Sequence, residues 1–170
     1  MNFKRKNGSS ESLKQQILRI LNEEKMSYSI RKDNENTLIF NLGMSLSEGN
    51  MDTFIDLQID LQLIEVITFA PLKVPENKRI EAARYCATIS AQLPFGAFEM
   101  NTTTGQLRVK TYLLLSESLL LSDDVFKRCF FGNLDIMDRY FSGIMQIIYG
   151  NISAQSAIEK IHNKTDPQLN

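Results

Sequence analysis

Hydrophobic residues recur along this chain at two different spacings, and each change of spacing marks a change of element. Leu13, Ile17, Ile20 and Leu21 fall three or four apart and form one stripe of a helix. Ser9 or Ser10 can cap that helix, Glu11 and Glu24 bracket it, and it is expected to end near Met26. The period then drops to two. Tyr28 and Ile30, then Leu38, Phe40 and Leu42, alternate with polar residues on either side of Asp33-Asn34-Glu35-Asn36, which predicts a hairpin. Beyond the turn at Ser47-Glu48-Gly49-Asn50 the alternation is clearest. Met51, Thr53, Ile55, Leu57 and Ile59 take one face of a strand, and Asp52, Phe54, Asp56, Gln58 and Asp60 the other. Leu63 to Phe69 reads as a fourth strand, rich in β-branched residues.

The second half switches period again. Pro71 and Pro75 bracket a connection, and Pro75 suits the first turn of a helix whose apolar side is expected to combine Ile80, Ala83 and Ala87 with Cys86, Ile89 and Leu93. Pro94 and Gly96 stop it. Phe95 to Met100 and Gln106 to Leu114 flank a polar loop ending in Gly105, a second hairpin. Ser122-Asp123-Asp124 opens the longest helix, with Phe126, Phe130, Met137, Phe141, Ile144 and Ile148 along one side as far as Gly150. A short last helix starts at Ser153 and carries Ala157, Ile158 and Ile161. The expected organisation is a polar tail over 1–9, one domain over 10–163 and a second tail over 164–170.

Composition narrows the class without naming it. The chain has 170 residues, 43% hydrophobic and 23% charged, with a net charge of -1, which fits one folded domain and lacks the positive excess that a phosphate backbone requires. Nucleic acid is therefore not an expected partner. The distribution of charge says more than the total: residues 1–32 hold eight basic and three acidic side chains, whereas residues 33–72 hold seven acidic and none basic. That acidic stretch would attract a basic partner segment. Cys86 and Cys129 lie on apolar helical positions and match no metal or redox spacing, so two buried reduced thiols are expected. The N-terminus has no apolar signal region and no run is long enough to span a membrane, so the expected address is the cytoplasm and the sequons at Asn101, Asn151 and Asn163 carry little meaning.

Chemistry finds little foothold. One histidine, His162, rules out a multi-histidine metal site and any triad built on two imidazoles, and no phosphate-loop or nucleophile-elbow string occurs. Asp52, Asp56 and Asp60 share a strand face, but four residues along a strand is about 13 Å, too far for two of them to meet on one ion. No catalytic residue, metal or cofactor is assigned. The remaining clue is apolar surface. Phe54 sits among acids, and the stretch from Leu113 to Leu121 holds more leucine than a strand end and a helix start can hide, so Phe54, Asp56, Leu119 and Leu120 are the candidate interface residues.

Four local patterns carry a family resemblance. Val74-Pro75-Glu76 opens a helix, and Leu93-Pro94-Phe95-Gly96-Ala97-Phe98 ends it. Gly105-Gln106-Leu107-Arg108-Val109-Lys110 starts the next strand, and Asp138-Arg139-Tyr140 precedes Gly150 and Ala157-Ile158. In this order they resemble the YbjN family, a family of bacterial sensory-transduction regulators whose domain is similar to the type III secretion chaperone fold. Two positions depart from the family pattern: Ser90 stands where Asn is usual, and Asn101 where Asp is usual. The resemblance implies an α+β domain of order α-β-β-β(β)-α-β-β-α, an antiparallel sheet of five to six strands with helices mainly on one face, a non-enzymatic role and a homodimer.

Together these readings predict a protein-binding or regulatory module, chaperone- or adaptor-like, that dimerises and holds a segment of another protein, a basic one in particular, on its sheet or its leucine-rich edge. Two alternatives stand beside it. One is a small-molecule sensor or enzyme with a pocket between sheet and long helix, using Asp138, Arg139 and Tyr140. The other is a structural subunit of a larger assembly.

Overall fold

The computed structural model describes residues 8–116 and 121–165. The elements run α1 (Gly8–Glu23), β1 (Ser29–Asp33), β2 (Thr37–Leu46), β3 (Gly49–Gln58), β4 (Leu63–Lys73), a 3-10 turn (Glu76–Lys78), α2 (Arg79–Gln92), β5 (Ala97–Met100), β6 (Gln106–Leu114), α3 (Asp123–Tyr149) and α4 (Ala154–Thr165). The strands form one antiparallel six-stranded sheet in the order β1-β2-β3-β4-β6-β5, so the fold is α+β with an open sheet. The first four strands are a meander. β6 pairs with β4, and β5 is left at the edge.

Alternation decides which face is covered. Leu38, Phe40, Leu42, Met51, Ile55, Leu57, Ile64, Val66, Leu107 and Val109 all point to one side and are buried there. The helices pack on that side in two clusters. One gathers α1, β2 and β3 around Phe40, and the other gathers α2, β6 and α4 around Tyr85 and Phe98. α3 serves both: Phe126, Cys129, Phe130 and Leu134 belong to the first, and Met137, Phe141, Ile144 and Ile147 to the second. A helix of 27 residues is about 40 Å long, which is why one element can span the two clusters.

Most polar groups caught in this layer have partners, although Asn133 Oδ1 has none. Thr53 and Thr68 share a hydrogen bond of 2.8 Å between their hydroxyls. Asn133 on α3 donates from Nδ2 to the carbonyls of Val66 (2.8 Å) and Val109 (3.2 Å), and Tyr85 donates its hydroxyl to the Tyr140 carbonyl at 2.7 Å. Tyr85 fits only because Gly143 has no Cβ, whose position its ring would occupy. Both thiols are free and buried, as expected, and burial pushes Cys86 up to about 12 and raises Cys129.

The edge at β5 is closed from inside the chain. Ser90 Oγ accepts from the Phe98 N–H and donates to the Phe98 carbonyl, both at 2.9 Å, so α2 occupies the backbone groups a further strand would need. The loop between β5 and β6 is held by Arg79, whose guanidinium donates to the carbonyls of Val74 and Thr103, and by Gly105 (φ 75°), which presses against the Val74 backbone where no side chain fits. Asn101 shapes the same loop, its Oδ1 accepting from the N–H groups of Thr103 and Thr104 at 3.0 Å.

Several expectations shift. α1 stops at Glu23 rather than Met26, because Lys25 takes a positive φ of 55° and breaks the helix. Ile59 lies past the end of β3, and β5 starts at Ala97 with Phe95 outside it, exposed. The apolar side of α2 is Ala82, Tyr85, Cys86 and Ile89, while Ile80 is 71% exposed and Ala87 also faces solvent. Tyr85, fully buried, centres the buried arc and leaves Ala87 outside it. Ser122 opens α3 through its carbonyl, which accepts from the Phe126 N–H, with no side-chain cap. Ser153 does cap α4, its Oγ accepting from the Ser156 N–H at 3.2 Å.

Candidate protein-binding face

Among the described residues, no layer lies over the side of the sheet away from the helices. Cross-strand register fixes which residues stand beside each other there. The cross-strand rows run Asp52, Phe69, Arg108; Asn41, Phe54, Ile67, Lys110; Ile39, Asp56, Glu65, Tyr112; and Thr37, Gln58, Leu63, Leu114, in the strand order β2, β3, β4, β6. Phe54 and Phe69 meet edge to face, with ring centroids 5.8 Å apart and planes at 81°. Phe54 and Asp56 are thus neighbours on one face, half-buried by the strands on either side. The other two candidates, Leu119 and Leu120, lie outside the described residues. Of the leucines before them, Leu113 and Leu115 pack into the core, and Leu114 stands 75% exposed on this face.

The electrostatics of the face centre on Asp56 and Glu65, two carboxylates directly opposite on neighbouring strands. Like charges so placed repel. Lys110 answers Glu65 with an ion pair of 2.5 Å, and Gln58 Nε2 reaches both acids at 3.4 Å. Asp56 is left with less help: burial, and after it the charge of Glu65, outweigh Gln58, Lys32 and Lys110 and hold its carboxyl above the usual range. Its Oδ1 is out of water with no hydrogen-bond partner. The same is true of Asn41 Nδ2, one strand away, although Asn41 Oδ1 accepts from Arg31 at 3.1 Å. At the far side Arg108 Nε donates to Glu99 at 2.7 Å.

This surface cannot be assembled from the β3 alternation alone. Ile39, Ile67, Phe69, Lys110 and Tyr112 join Phe54 and Asp56 only through pairing across four strands. The available signal was the fourth strand, where Leu63, Glu65, Ile67 and Phe69 alternate with the buried Ile64, Val66 and Thr68.

The residues of the pocket alternative do structural work. Asp138 accepts from the Ser47 N–H at 2.7 Å and the Ser47 hydroxyl at 3.1 Å, pinning the turn between β2 and β3 to α3. Arg139 pairs with Asp135 at 3.8 Å, and Tyr140 lends its backbone carbonyl to Tyr85. None of the three lines the cleft of about 690 Å³ that lies beside α2 and the β5–β6 hairpin, between Ala83, Cys86, Phe98, Met100, Thr104 and Arg108. Cys86 at that cleft keeps its proton at neutral pH, so it is not a nucleophile there. Among the described residues no three His, Cys, Asp or Glu side chains are grouped to hold a metal ion, and no helix is long and apolar enough to cross a membrane.

The architecture therefore defines a class: an α+β domain with one side of its sheet packed with helices and the other bare among the described residues. Residues 14–145 match the model of the YbjN family, described as "Putative bacterial sensory transduction regulator", and the chain belongs to that family. No curated protein matches it. A solved structure, "Crystal structure of YbjN, a putative transcription regulator from E. coli", is similar in fold, with a TM-score of 0.51 and 16% identity over 73% of this chain and 84% of that one.

Proposed function

We propose that this chain is a non-enzymatic cytoplasmic regulator that works by protein contact, with the bare sheet face as its contact surface. The observation that carries the reading is the company kept on that face. An aromatic pair, Phe54 and Phe69, and the aliphatic side chains of Ile39, Leu63 and Ile67 sit together, half-buried, on a layer that no described helix covers. Apolar side chains grouped on one uncovered face are a surface that another protein can bury. The family description as a regulator supports the same role. The chaperone- or adaptor-like form of that role belongs to this proposal too.

The test is capture from native cells with the tagged chain beside an Ile67→Arg variant, whose fold is checked by circular dichroism. Proteins enriched by the chain and lost with the variant support the reading. Proteins retained equally by both place the contact elsewhere on the molecule and overturn it, as does a chain that captures nothing and does not self-associate.

The cleft beside α2 favours a second reading, a sensor for a small ligand. It is half-enclosed, with Phe98 and Met100 at its wall and Asn101, Thr104, Gln106 and Arg108 supplying polar atoms. A specific thermal shift with a metabolite library, lost on Ala83→Leu, supports that reading, and a flat screen removes it.

A further inference from the structure

Resting on the reading of the bare face as a contact surface, we propose that the partner enters as an extended segment that adds a strand to the free half of β6. It runs antiparallel to β6, in line with β5, and carries an acidic residue between two apolar ones. The edges of the sheet point there. At one side, β1 is broken by a register shift between Ile30 and Lys32 and is lined by Arg31 and Lys32, devices that discourage a further strand. At the other, Ser90 occupies the main chain of Phe98 on β5. But β5 is short: its pairing ends at Ala97 opposite Lys110, whereas β6 runs on to Leu114. Among the described residues no strand pairs with β6 beyond Lys110 on that side, and Thr111 to Leu114 carry no charge, proline or bulge.

The main chain of this free half faces outward at two residues. The Gln106 carbonyl turns toward β5, where it accepts from the Asn101 N–H at 2.9 Å, and the Leu115 N–H turns the other way, donating to the Gln62 carbonyl at 2.7 Å. Direction alternates along a paired strand, so Tyr112 and Leu114 present their N–H and C=O groups at the edge. Their side chains, both exposed, belong to the bare face. α3 supplies the other wall. The Thr111 hydroxyl donates to the Cys129 carbonyl at 3.1 Å, and Gly132 leaves room for the Phe95 ring, which closes the end of the slot next to β5. Val125 and Arg128, both exposed, lie on the same side of the helix one and two turns before Gly132. No ion pair joins Arg128 to Asp124, so its guanidinium can take an outside carboxylate.

These groups specify the segment. An antiparallel strand exchanges two hydrogen bonds with Tyr112 and two with Leu114 through a pair of residues two apart, and the residue between them stands opposite Leu113 without such bonds. The outer two side chains share the bare face with Tyr112 and Leu114 and are apolar. The middle one turns to the helix side, toward Val125 and Arg128, and is acidic.

Short random linear peptides, displayed on phage and selected on the full chain, test the proposal, with affinities read by fluorescence anisotropy. Selected peptides should carry the apolar–acidic–apolar triplet. N-methylation of either apolar residue should weaken binding at least about tenfold, and N-methylation of the acidic residue should leave it unchanged. Leu114→Pro removes one edge donor without touching the β4 ladder and should also weaken binding at least about tenfold, with circular dichroism checking the fold. Arg128→Glu should reverse the preference, favouring peptides with lysine at the centre. If Leu114→Pro does not fold, the N-methyl series decides. Methylation that is tolerated at every position, binding equal in Leu114→Pro, or a preference unmoved by Arg128→Glu overturns the proposal, as does a selection that yields no binder. In each of these cases a native protein captured by the chain and lost with Ile67→Arg leaves the bare-face reading standing, and the absence of such a protein removes both.

Discussion

The two faces of the sheet are written in alternate residues of the same strands, yet the described helices cover only one of them. On the helix side Thr53 finds Thr68, and Asn133 donates to two strand carbonyls while its Oδ1 is left without a partner. On the bare side Asn41 Nδ2 and Asp56 Oδ1 are withdrawn from water by their neighbours and matched by nothing. The difference teaches where the packing ends. The inner face is closed by the chain's own helices, and the outer face is left half-exposed among the described residues.

The sharpest way to break the contrast is to cut one aromatic from each face. Phe40, on β2, is fully buried in the cluster that α1 covers, and Phe40→Ala should cost about 3–5 kcal/mol in urea unfolding. Phe54→Ala, on the half-exposed face, should cost about 1 kcal/mol or less, and its main effect should fall on protein capture through that face. Equal losses would show that the outer face is as structural as the inner one.

Next comes Asn133→Asp, nearly the same shape with its donor removed. The new carboxylate faces the Val66 and Val109 carbonyls and the Thr111 hydroxyl oxygen, in a site that is fully buried. A loss of about 3 kcal/mol at neutral pH is expected. It should shrink as the pH falls, because a protonated Asp can donate where Asn133 did. A loss that does not change between pH 7 and pH 4 would mean that shape, not donation, sets the position.

The inner threonines offer a finer cut. Thr68→Val leaves the Thr53 hydroxyl buried and alone, at a cost of about 1–2 kcal/mol, whereas Thr53→Val with Thr68→Val removes both partners and should come close to the parent. Stability of the double variant below that of either single one would show that the threonine pair contributes more than mutual satisfaction.

How much of this was legible in the sequence follows from the range of each signal. The alternation of β2, β3 and β6 and the stripe of α3 are local and were readable, as was the burial of both cysteines. The face of α2 was misread because its alanines carry so little apolar weight that Ile80 seemed to define the side, whereas Tyr85 does. The placement of β6 between β4 and β5, and so of Lys110 and Tyr112 beside Glu65, depends on pairings some fifty residues apart that no local period encodes. Phe54 and Asp56 could be singled out as candidates, but their neighbours could not.

The smallest effect isolates the charge at the centre of the bare face. Burial raises the Asp56 carboxyl above its ordinary value, so the folded chain prefers it protonated. The sign follows from linkage: this preference stabilises the fold fully below the unfolded value near 3.8, and it is lost as the pH rises through the higher folded value. At neutral pH the ionised group is therefore a net cost, and Asp56→Asn should stabilise the dilute chain there, by less than about 1 kcal/mol because the site is only partly shielded. The gain should vanish toward pH 3, where Asp56 itself is neutral. Thermal unfolding of the two forms from pH 3 to pH 8 checks this, and an Asn variant that is less stable at pH 7 would show that Lys32 and Lys110 hold the Asp56 charge more firmly than burial opposes it.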